Sequence, residues 1–478
     1  MLKKVLLSTA IVVLGLIAKV SPLTAQWEPI QYKMEIRVDY RAEKIFADCE
    51  LVVKNNSTEP AFELPLILYR LLTVTSVRDS LGNKIPFEQN VKTVDGSPRL
   101  QVNAVTVNLP RKIIRDEKYR IHISYEGYIF GYTEGVGPYV KERIEEPFTI
   151  LRQDTHSYPT PAKPTRESMR NVVFHSYSYS ASITVPEHLM VANGGTLVTK
   201  SNHNGETTFT YNNIKPAWRM DFAIAPYETM ERDGFKIFFF PENKEGAERV
   251  LTVSKKCFEL YTEWFGALKD FQNFSIIQIP EGYGSQADVT SILQTAEVFA
   301  DATLNRLIYH EISHLWHPKE TEPFPGCRWN EGLATFLEYL TAQELDNREN
   351  LLNRASEFFT TRFAEVCPEN PNCKEIPLID YGKLGLTGFS YSKGMVLFHV
   401  LYELAGHDSF MNLVGEYYRK YFKTGGSTHA LAAMIAELPH KGLSRFVDEW
   451  FYGTESNDYL FQGKSVEEIV SIYNTSGK

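Results

Sequence analysis

The chain has 478 residues, too many for one ordinary hydrophobic core, so two or more domains are expected. Hydrophobic residues make up 43% and charged residues 23%, a composition that excludes a disordered or fibrous protein. The formal net charge is −9 without a basic cluster, which argues against nucleic acid or an anionic membrane surface as a partner.

The N-terminus is typical of an export signal. Lys3 and Lys4 precede an apolar stretch over residues 5–18, and small residues follow up to Ala25. The stretch is too short to cross a bilayer comfortably, so no stable membrane span is expected. We predict a signal peptide over residues 1–25 and an exported protein, periplasmic or extracellular. An uncleaved N-terminal anchor is the alternative.

Residues 26–232 show the pattern of β-strands. Residues 32–40 alternate apolar and polar side chains with a period of two, as a half-buried strand does. Turn residues such as Asn193-Gly194 separate similar runs. This region is predicted to be an all-β domain.

The pattern changes to helical periodicity after residue 233. We predict a mainly helical domain over residues 233–455, with some strands, followed by a C-terminal tail over residues 456–478. The helices are expected within residues 249–264, 304–316, 331–346, 393–405 and 410–422.

A metal-binding motif lies in the second of these helices. His310 and His314 are four residues apart, so both imidazoles project from one helical face and can reach one ion. Glu311 is rotated away from that face, where it can contact a water beside the metal without ligating the metal. Alone, the motif also fits two ordinary buried histidines.

A catalytic zinc ion needs a third protein ligand and an open fourth position. Glu331 opens the next amphipathic helix, which can lie beside the first and present its carboxylate to the ion. Glu320 is the competing candidate, since it follows His314 at another known spacing. Glu338 is two turns beyond Glu331 on the same face and is placed to accept a hydrogen bond from a ligating histidine. A solvated helix carboxylate is the other interpretation of Glu338.

These residues resemble the M1 family of zinc metallopeptidases, the gluzincin aminopeptidases. Residues 310–316, His-Glu-Ile-Ser-His-Leu-Trp, are similar to the family's HExxHxW motif, and Asn330-Glu331-Gly332 is similar to its NEG motif. The loop between the two motifs is two residues shorter than is usual in the family. Residues 391–394, Tyr-Ser-Lys-Gly, resemble a third motif, YxKG.

The resemblance covers about residues 30–455 and implies a multidomain α+β fold. A saddle-like N-terminal β domain would precede a thermolysin-like, mainly helical catalytic domain, without the family's large C-terminal helical domain. The resemblance also implies one Zn²⁺ per chain, held by His310, His314 and Glu331. It makes Glu311 the catalytic base and Tyr391 the hydrogen-bond donor to the tetrahedral oxyanion.

One position departs from the family in a way that bears on specificity. The GxMEN motif of these aminopeptidases carries a glutamate that binds the free α-amine of the substrate. Aligned from His310, that motif falls on residues 283–287, where Gln286 replaces the glutamate and supplies no anion. In a register shifted by one residue, Ala287 takes this place, so neither register supplies a glutamate. The backbone around Gly284 is expected to position the substrate main chain. Other acids of the β domain, such as Asp154, are alternative partners for the amine.

The sequence therefore predicts a secreted zinc metallopeptidase that acts on peptides or proteins, with altered recognition of the substrate N-terminus. The alternatives are an endopeptidase or a peptidase for blocked N-termini on the same site, and a catalytically silent binding protein. Cys367 and Cys373 flank a turn-rich loop and can close a small disulfide, although scattered buried thiols are an equal possibility.

Overall fold

The computed structural model describes five segments of the chain. They are residues 26–132, 139–173, 175–322, 326–370 and 372–475. The predicted signal peptide lies outside these segments. Within them, no helix combines the length and apolarity needed to cross a membrane.

The N-terminal region is built from β-strands, as predicted. Alternation decides which side chains are buried: Tyr32, Met34, Ile36 and Val38 face the core, while their neighbours face solvent. The strands are β1 Trp27–Asp39, β2 Lys44–Asn55, β3 Ala61–Tyr69, β4 Leu72–Asp79, β5 Phe87–Val94, β6 Ser97–Ile113, β7 Lys118–Gly127, β8 Thr149–Leu151, β9 Ser178–Pro186, β10 Met190–Ala192, β11 Thr196–His203, β12 Glu206–Asn212 and β13 Phe222–Ala225.

Two sheets enclose the core of this region. Seven strands pair in the order β11-β12-β9-β1-β2-β7-β4, and three more pair in the order β3-β6-β5. Strand β1 is antiparallel to β2 and parallel to β9. Apolar side chains from both sheets, such as Leu66 and Ile121, share one buried cluster. The prediction of a β-sheet region at the N-terminus is thereby confirmed, but the expectation that it is all-β is wrong, because helix α1 Arg166–Val173 lies between β8 and β9.

A mixed five-stranded sheet connects this region to the helical one. Its strands are β14 Glu228–Arg232, β15 Phe235–Phe239, β16 Phe274–Ile279, β17 Gln286–Ala287 and β18 Ser291–Thr295, paired in the order β14-β15-β16-β18-β17. Side chains from this sheet, including Phe238 and Ile277, pack with Ile150 and Ala223 of a three-stranded sheet formed by β10, β13 and β8. The two regions therefore share buried apolar contacts.

Helices make up most of the remaining chain, as predicted. Helix α1 Arg166–Val173 lies within the N-terminal region. The helices that follow are α2 Lys244–Phe265, α3 Ala296–Ala300, α4 Arg306–Ser313, α5 Trp329–Leu345, α6 Leu351–Val366, α7 Phe389–Ala405, α8 His407–Tyr421, α9 Thr428–Ala436, α10 Leu443–Val447, α11 Glu455–Phe461 and α12 Val466–Thr475. The mixed α+β class is confirmed, while the exact domain boundaries remain predictions.

A pair of glycines brings helices α5 and α7 together. A Cβ atom added to Gly332 would lie 2.6 Å from the Cα of Gly394, so neither helix can carry a side chain at this crossing. Each glycine closes one of the motifs found in the sequence. Their contact brings Glu331 and Tyr391, which precede the two glycines, toward the same region of the molecule.

The C-terminal segment packs on the helical core. Leu460, Val466, Ile469 and Tyr473 belong to the same buried cluster as helices α4, α5 and α7. The predicted tail over residues 456–478 thus contains most of α11 and all of α12. Nearby, Cys367 and Cys373 form a disulfide, and the other three cysteines are buried free thiols. The structure thus selects the disulfide over the alternative of five thiols.

Candidate active site

Helix α4 and the turn that follows it carry the first two histidines of the site. The His310 and His314 ring centroids are 5.0 Å apart, with an angle of 79° between the ring planes. The helix ends at Ser313, and His314 begins a short 3₁₀ turn that closes at Trp316. Trp316 is buried, and its indole N–H donates to the carbonyl of Gly266 at 2.8 Å. That anchor fixes the end of the helix.

Helix α5 brings Glu331 to the two histidines. Its Oε2 atom lies 3.4 Å from His310 Nε2 and 3.6 Å from His314 Nε2. One ligand atom from each residue lies within 4.8 Å of the other two, and this is the one such metal-compatible group among the described residues. We call these three residues the zinc cluster. Two imidazoles and one carboxylate are a donor set of catalytic zinc sites, which keep a fourth position open.

Glu320, the competing third ligand, lies elsewhere. Its carboxylate is 3.4 Å from the hydroxyl of Thr428 and 4.0 Å from the sulfur of Cys327. A Cβ at Gly326 would also touch it. In the described part of the chain the geometry therefore favours Glu331 over Glu320 as the third ligand.

Both histidines have a partner on the far side of the ring. His310 Nδ1 lies 3.1 Å from Glu338 Oε2, and the other oxygen of Glu338 is paired with Arg306. A hydrogen bond from Nδ1–H to a carboxylate leaves Nε2 unprotonated and able to bind a metal. Glu338 thus lies within hydrogen-bond distance of His310, and its role in orienting a metal ligand stays a prediction.

His317 supports His314, a contact that sequence reasoning missed. The two Nδ1 atoms are 3.1 Å apart, and burial lowers the pKa of His314 to about 4 and holds that of His317 well below its usual value. Both rings are therefore neutral near pH 7. If His314 donates from Nδ1, its Nε2 is free to bind metal and His317 is protonated at Nε2. That Nε2 atom has no hydrogen-bond partner among the described residues.

Glu311 lies beside the zinc cluster and is buried. Burial raises the pKa of its carboxyl to about 7; His310 and Arg219 oppose that rise, whereas Glu331 adds to it. A carboxyl group whose pKa lies near the working pH can both accept and release a proton. Glu311 thus carries a buried carboxyl group that can exchange a proton near neutral pH, as the predicted role of general base requires.

Tyr391 lies on the first turn of α7. Its ring is nearly parallel to the His310 ring, at 6° and with centroids 6.4 Å apart. Burial, followed by the charge of Glu331, raises the pKa of the Tyr391 phenol above its usual value. The hydroxyl therefore stays protonated across the neutral range and can donate a hydrogen bond to a developing oxyanion.

Gln286 lies on β17, and the oxygen of its side-chain amide accepts two hydrogen bonds. Its Oε1 accepts hydrogen bonds from Arg219 Nη2 at 2.7 Å and from Arg152 Nη1 at 3.0 Å, and its Nε2 donates to Asp154 Oδ1 at 3.2 Å. We call Arg152, Asp154, Arg219 and Gln286 the recognition cluster. Gly284, two residues before Gln286, has a φ of +74° and lies next to the ring of Tyr139.

Two further acidic residues form ion pairs with the arginines of the recognition cluster. Asp221 binds Arg219 through two oxygens, at 2.6 and 2.8 Å, and Glu142 pairs with Arg152. Burial works to raise the pKa of Asp154, but the charges of Arg219 and Arg152 overcome it and hold the pKa at about 2. Asp154 is therefore ionised, while Gln286 sits between two cations.

The fold and the zinc cluster together define a class of protein, the HExxH zinc metallopeptidases. A comparison with known protein families gives a match in the mainly helical part of the chain. Residues 250–450 match the model of the peptidase family M1 domain. Residues 250–450 thus carry a zinc metallopeptidase domain of the M1 type, the family that the sequence motifs predicted.

The curated relatives of this chain are distant in sequence. Glutamyl aminopeptidase of Mus musculus is 21% identical over 367 residues, which cover 70% of this chain and 38% of that protein. The Bos taurus protein of the same name is 20% identical over 464 residues, covering 88% of this chain and 46% of that protein. The chain thus spans less than half of the length of these curated relatives.

A solved structure shares the fold over nearly all of its length. The M1 zinc metallopeptidase from Deinococcus radiodurans superimposes with a TM-score of 0.65 and 16% sequence identity. The match covers 92% of this chain and 95% of that one. The two-region architecture of β-sheet and helical parts is therefore found in another protein of the family.

Proposed function

We propose that this protein hydrolyses peptide bonds with a single zinc ion held by the zinc cluster. The observation that carries the proposal is the convergence of two imidazoles and the Glu331 carboxylate beside the buried Glu311. The relatives named as aminopeptidases support a peptide substrate. A zinc ion in this site supplies a Lewis acid that polarises the scissile carbonyl and makes water more acidic.

The chain's own side chains supply the proton transfers. Glu311 accepts a proton from the attacking water while the water oxygen bonds to the carbonyl carbon. Glu311 then delivers that proton to the nitrogen of the leaving amine. Tyr391 donates its O–H to the oxygen that becomes negative in the tetrahedral intermediate. Cleavage of the C–N bond then yields a carboxylic acid and an amine, and transfer of the acid proton to the amine gives a carboxylate and an ammonium group.

Recognition of the substrate N-terminus is altered in this proposal. A buried α-ammonium group needs an anionic partner, or the cost of its desolvation is not offset. Gln286 carries no charge, and its oxygen already accepts from Arg152 and Arg219. We therefore propose that position 286 does not bind an ammonium group. The substrate would extend past this position with a peptide or acyl group in place of a free amine.

Matched peptides test this proposal. The kcat/KM of the zinc-loaded protein would be measured on one peptide sequence, prepared with a free and with an acetylated N-terminus. We expect the acetylated or longer peptides to be cleaved at least as well as the free ones. A strong preference for the free N-terminus would show that another group, with Asp154 as the first candidate, binds the amine.

A second candidate function, an endopeptidase on the same site, is favoured by the same engaged amide. Cleavage positions in a peptide library distinguish the two candidates, because an endopeptidase cuts inside long peptides and a blocked-N-terminus peptidase cuts near their ends. A zinc-bound chain that cuts no peptide in the library would indicate the silent binding protein.

Export is also proposed, from the lysines and apolar stretch within residues 1–25. The disulfide between Cys367 and Cys373 is compatible with an oxidising compartment. The intact mass of protein purified from its native compartment tests this. A chain that begins near Gln26 is expected, and one that retains Lys3 and Lys4 would indicate an anchor or a cytoplasmic protein.

A further inference from the structure

Arg328 occupies an unusual backbone conformation at the start of helix α5. Its φ of 57° and ψ of 44° lie in the left-handed region, which residues other than glycine rarely adopt. Its neighbours Cys327 and Trp329 are buried, so the chain is fixed on both sides. In this backbone conformation, the Arg328 side chain lies over the first turn of α5, close to Glu331.

The guanidinium group of Arg328 contacts one oxygen of Glu331. Arg328 Nη2 lies 2.5 Å from Glu331 Oε1, whereas Oε2 is the oxygen near His310 Nε2 and His314 Nε2. The two oxygens of this carboxylate thus have separate partners. With Oε1 occupied by a cation, Oε2 remains as the oxygen that faces the two imidazoles.

The same guanidinium group also contacts Tyr391. Its central carbon lies 5.9 Å from the centroid of the Tyr391 ring, a distance typical of a cation–π contact. That ring is the one that lies parallel to His310. Arg328 therefore touches a member of the zinc cluster and the proposed oxyanion donor at once.

We propose that Arg328 is a positioning residue for both groups. It restrains Glu331 so that a single oxygen is presented toward the two histidines, and it holds the Tyr391 ring at the edge of the site. The assignment rests on the proposed function, since it requires that the zinc cluster binds zinc. Removal of a group that orients a metal ligand typically costs about 10–100-fold in metal affinity or activity.

The chain contains a matched control far from the zinc cluster in sequence. Arg445 Nε lies 2.6 Å from Glu449 Oε1, and its guanidinium carbon lies 5.6 Å from the centroid of the Tyr473 ring. The side chains of Arg445 and Glu449 are 45% and 11% exposed, compared with 39% and 9% for Arg328 and Glu331. This second Arg–Glu–Tyr group repeats the arginine–carboxylate pair and the arginine–ring contact, and it is not part of the zinc cluster.

The test compares Arg328→Gln, Arg328→Lys and Arg445→Gln in the full chain. Zinc affinity would be measured by competition with a chelator, kcat and KM separately at saturating zinc, and stability by thermal unfolding. For Arg328→Gln we expect zinc affinity to fall about 10–100-fold, and kcat to fall with little change in KM. Arg328→Lys should recover part of both losses, because it keeps the charge but not the planar guanidinium. Arg445→Gln should change only the unfolding temperature.

Two results would overturn the assignment. One is an Arg328→Gln protein with wild-type zinc affinity and kcat. The other is a loss of affinity that Arg445→Gln reproduces at an equal loss of stability, which would make the role of Arg328 structural. In both cases the wild type still binds zinc and the proposed function stands. A wild type that binds no zinc would instead remove the proposed function, together with this assignment.

Discussion

The zinc cluster and the recognition cluster differ in how the chain assembles them. The zinc cluster comes from two helices that are neighbours in sequence, with His310 and His314 one turn apart and Glu331 at the start of the next helix. The recognition cluster joins Gln286 of β17 to Arg219 and Arg152, which are 67 and 134 residues away along the chain. Local sequence spacing therefore positions the residues of the zinc cluster, whereas tertiary packing brings together the residues of the recognition cluster.

The two clusters also differ in electrostatic design. In the zinc cluster, imidazoles and carboxylates surround a position suited to a cation. In the recognition cluster, two arginines converge on the oxygen of an uncharged amide, and the surrounding acids offset their charge. The first arrangement matches what the sequence motifs predict. The second is the observation on which the proposed change in N-terminus recognition rests.

Glu311→Gln should give the largest effect and separates metal binding from catalysis. The amide keeps the size of the side chain but cannot accept the proton, so we expect turnover to fall by about 10²–10⁴-fold. Zinc content should stay at the wild-type level, because Glu311 is not in the zinc cluster. Kinetics and metal analysis on the same preparation check both points. A variant with wild-type turnover would remove Glu311 from the proposed mechanism.

Tyr391→Phe should lower kcat by about 10²–10³-fold, the usual effect of losing one oxyanion donor. The ring contacts with His310 and Arg328 are retained in this variant, so zinc affinity should not change. Steady-state kinetics on zinc-loaded protein provide the measurement. An unchanged kcat would make Tyr391 a packing residue only.

Glu338→Ala should weaken zinc binding by about 10–100-fold, because His310 loses the acceptor that orients its ring. The loss should appear in chelator competition before it appears in kcat at saturating zinc. Glu320→Ala is the matched control, because this carboxylate is not in the zinc cluster and its contacts are with Thr428 and Cys327. Equal losses in the two variants would mean that the effect is general destabilisation.

Gln286→Glu should have the smallest effect, and it tests the recognition cluster directly. The new carboxylate would be neutralised by Arg219 and Arg152, so we expect less than about a twofold gain in kcat/KM on peptides with a free N-terminus. A gain of tenfold, about 1.4 kcal/mol of recognition, would show that the new charge is available to an ammonium group after all.

The sequence predicted those parts of the site that depend on short-range geometry. A helical repeat fixes where His314 lies relative to His310, and where Glu338 lies relative to Glu331. The sequence could not predict the positions of Arg152 and Arg219, because their contacts with Gln286 arise only when the β region packs against β17. His317 was missed because its partner is the far side of the His314 ring, a contact made through a change from α to 3₁₀ geometry at Ser313.

The fold shows the same division. Alternation in residues 32–40 predicts a strand and its buried face, and β1 has both. The order of the seven-stranded sheet, in which β1 lies between β2 and β9, depends on pairings across more than a hundred residues that no local pattern records. The glycine contact between α5 and α7 likewise appears only when both motifs are seen in three dimensions.

The most direct test of the central claim is the zinc content of three proteins purified in parallel: the wild type, Glu331→Ala and Glu320→Ala. We predict about one zinc ion per chain in the wild type and in Glu320→Ala, with most of the metal lost from Glu331→Ala. A Glu331→Ala protein that keeps its zinc, while Glu320→Ala loses it, would contradict the zinc cluster and the mechanism built on it.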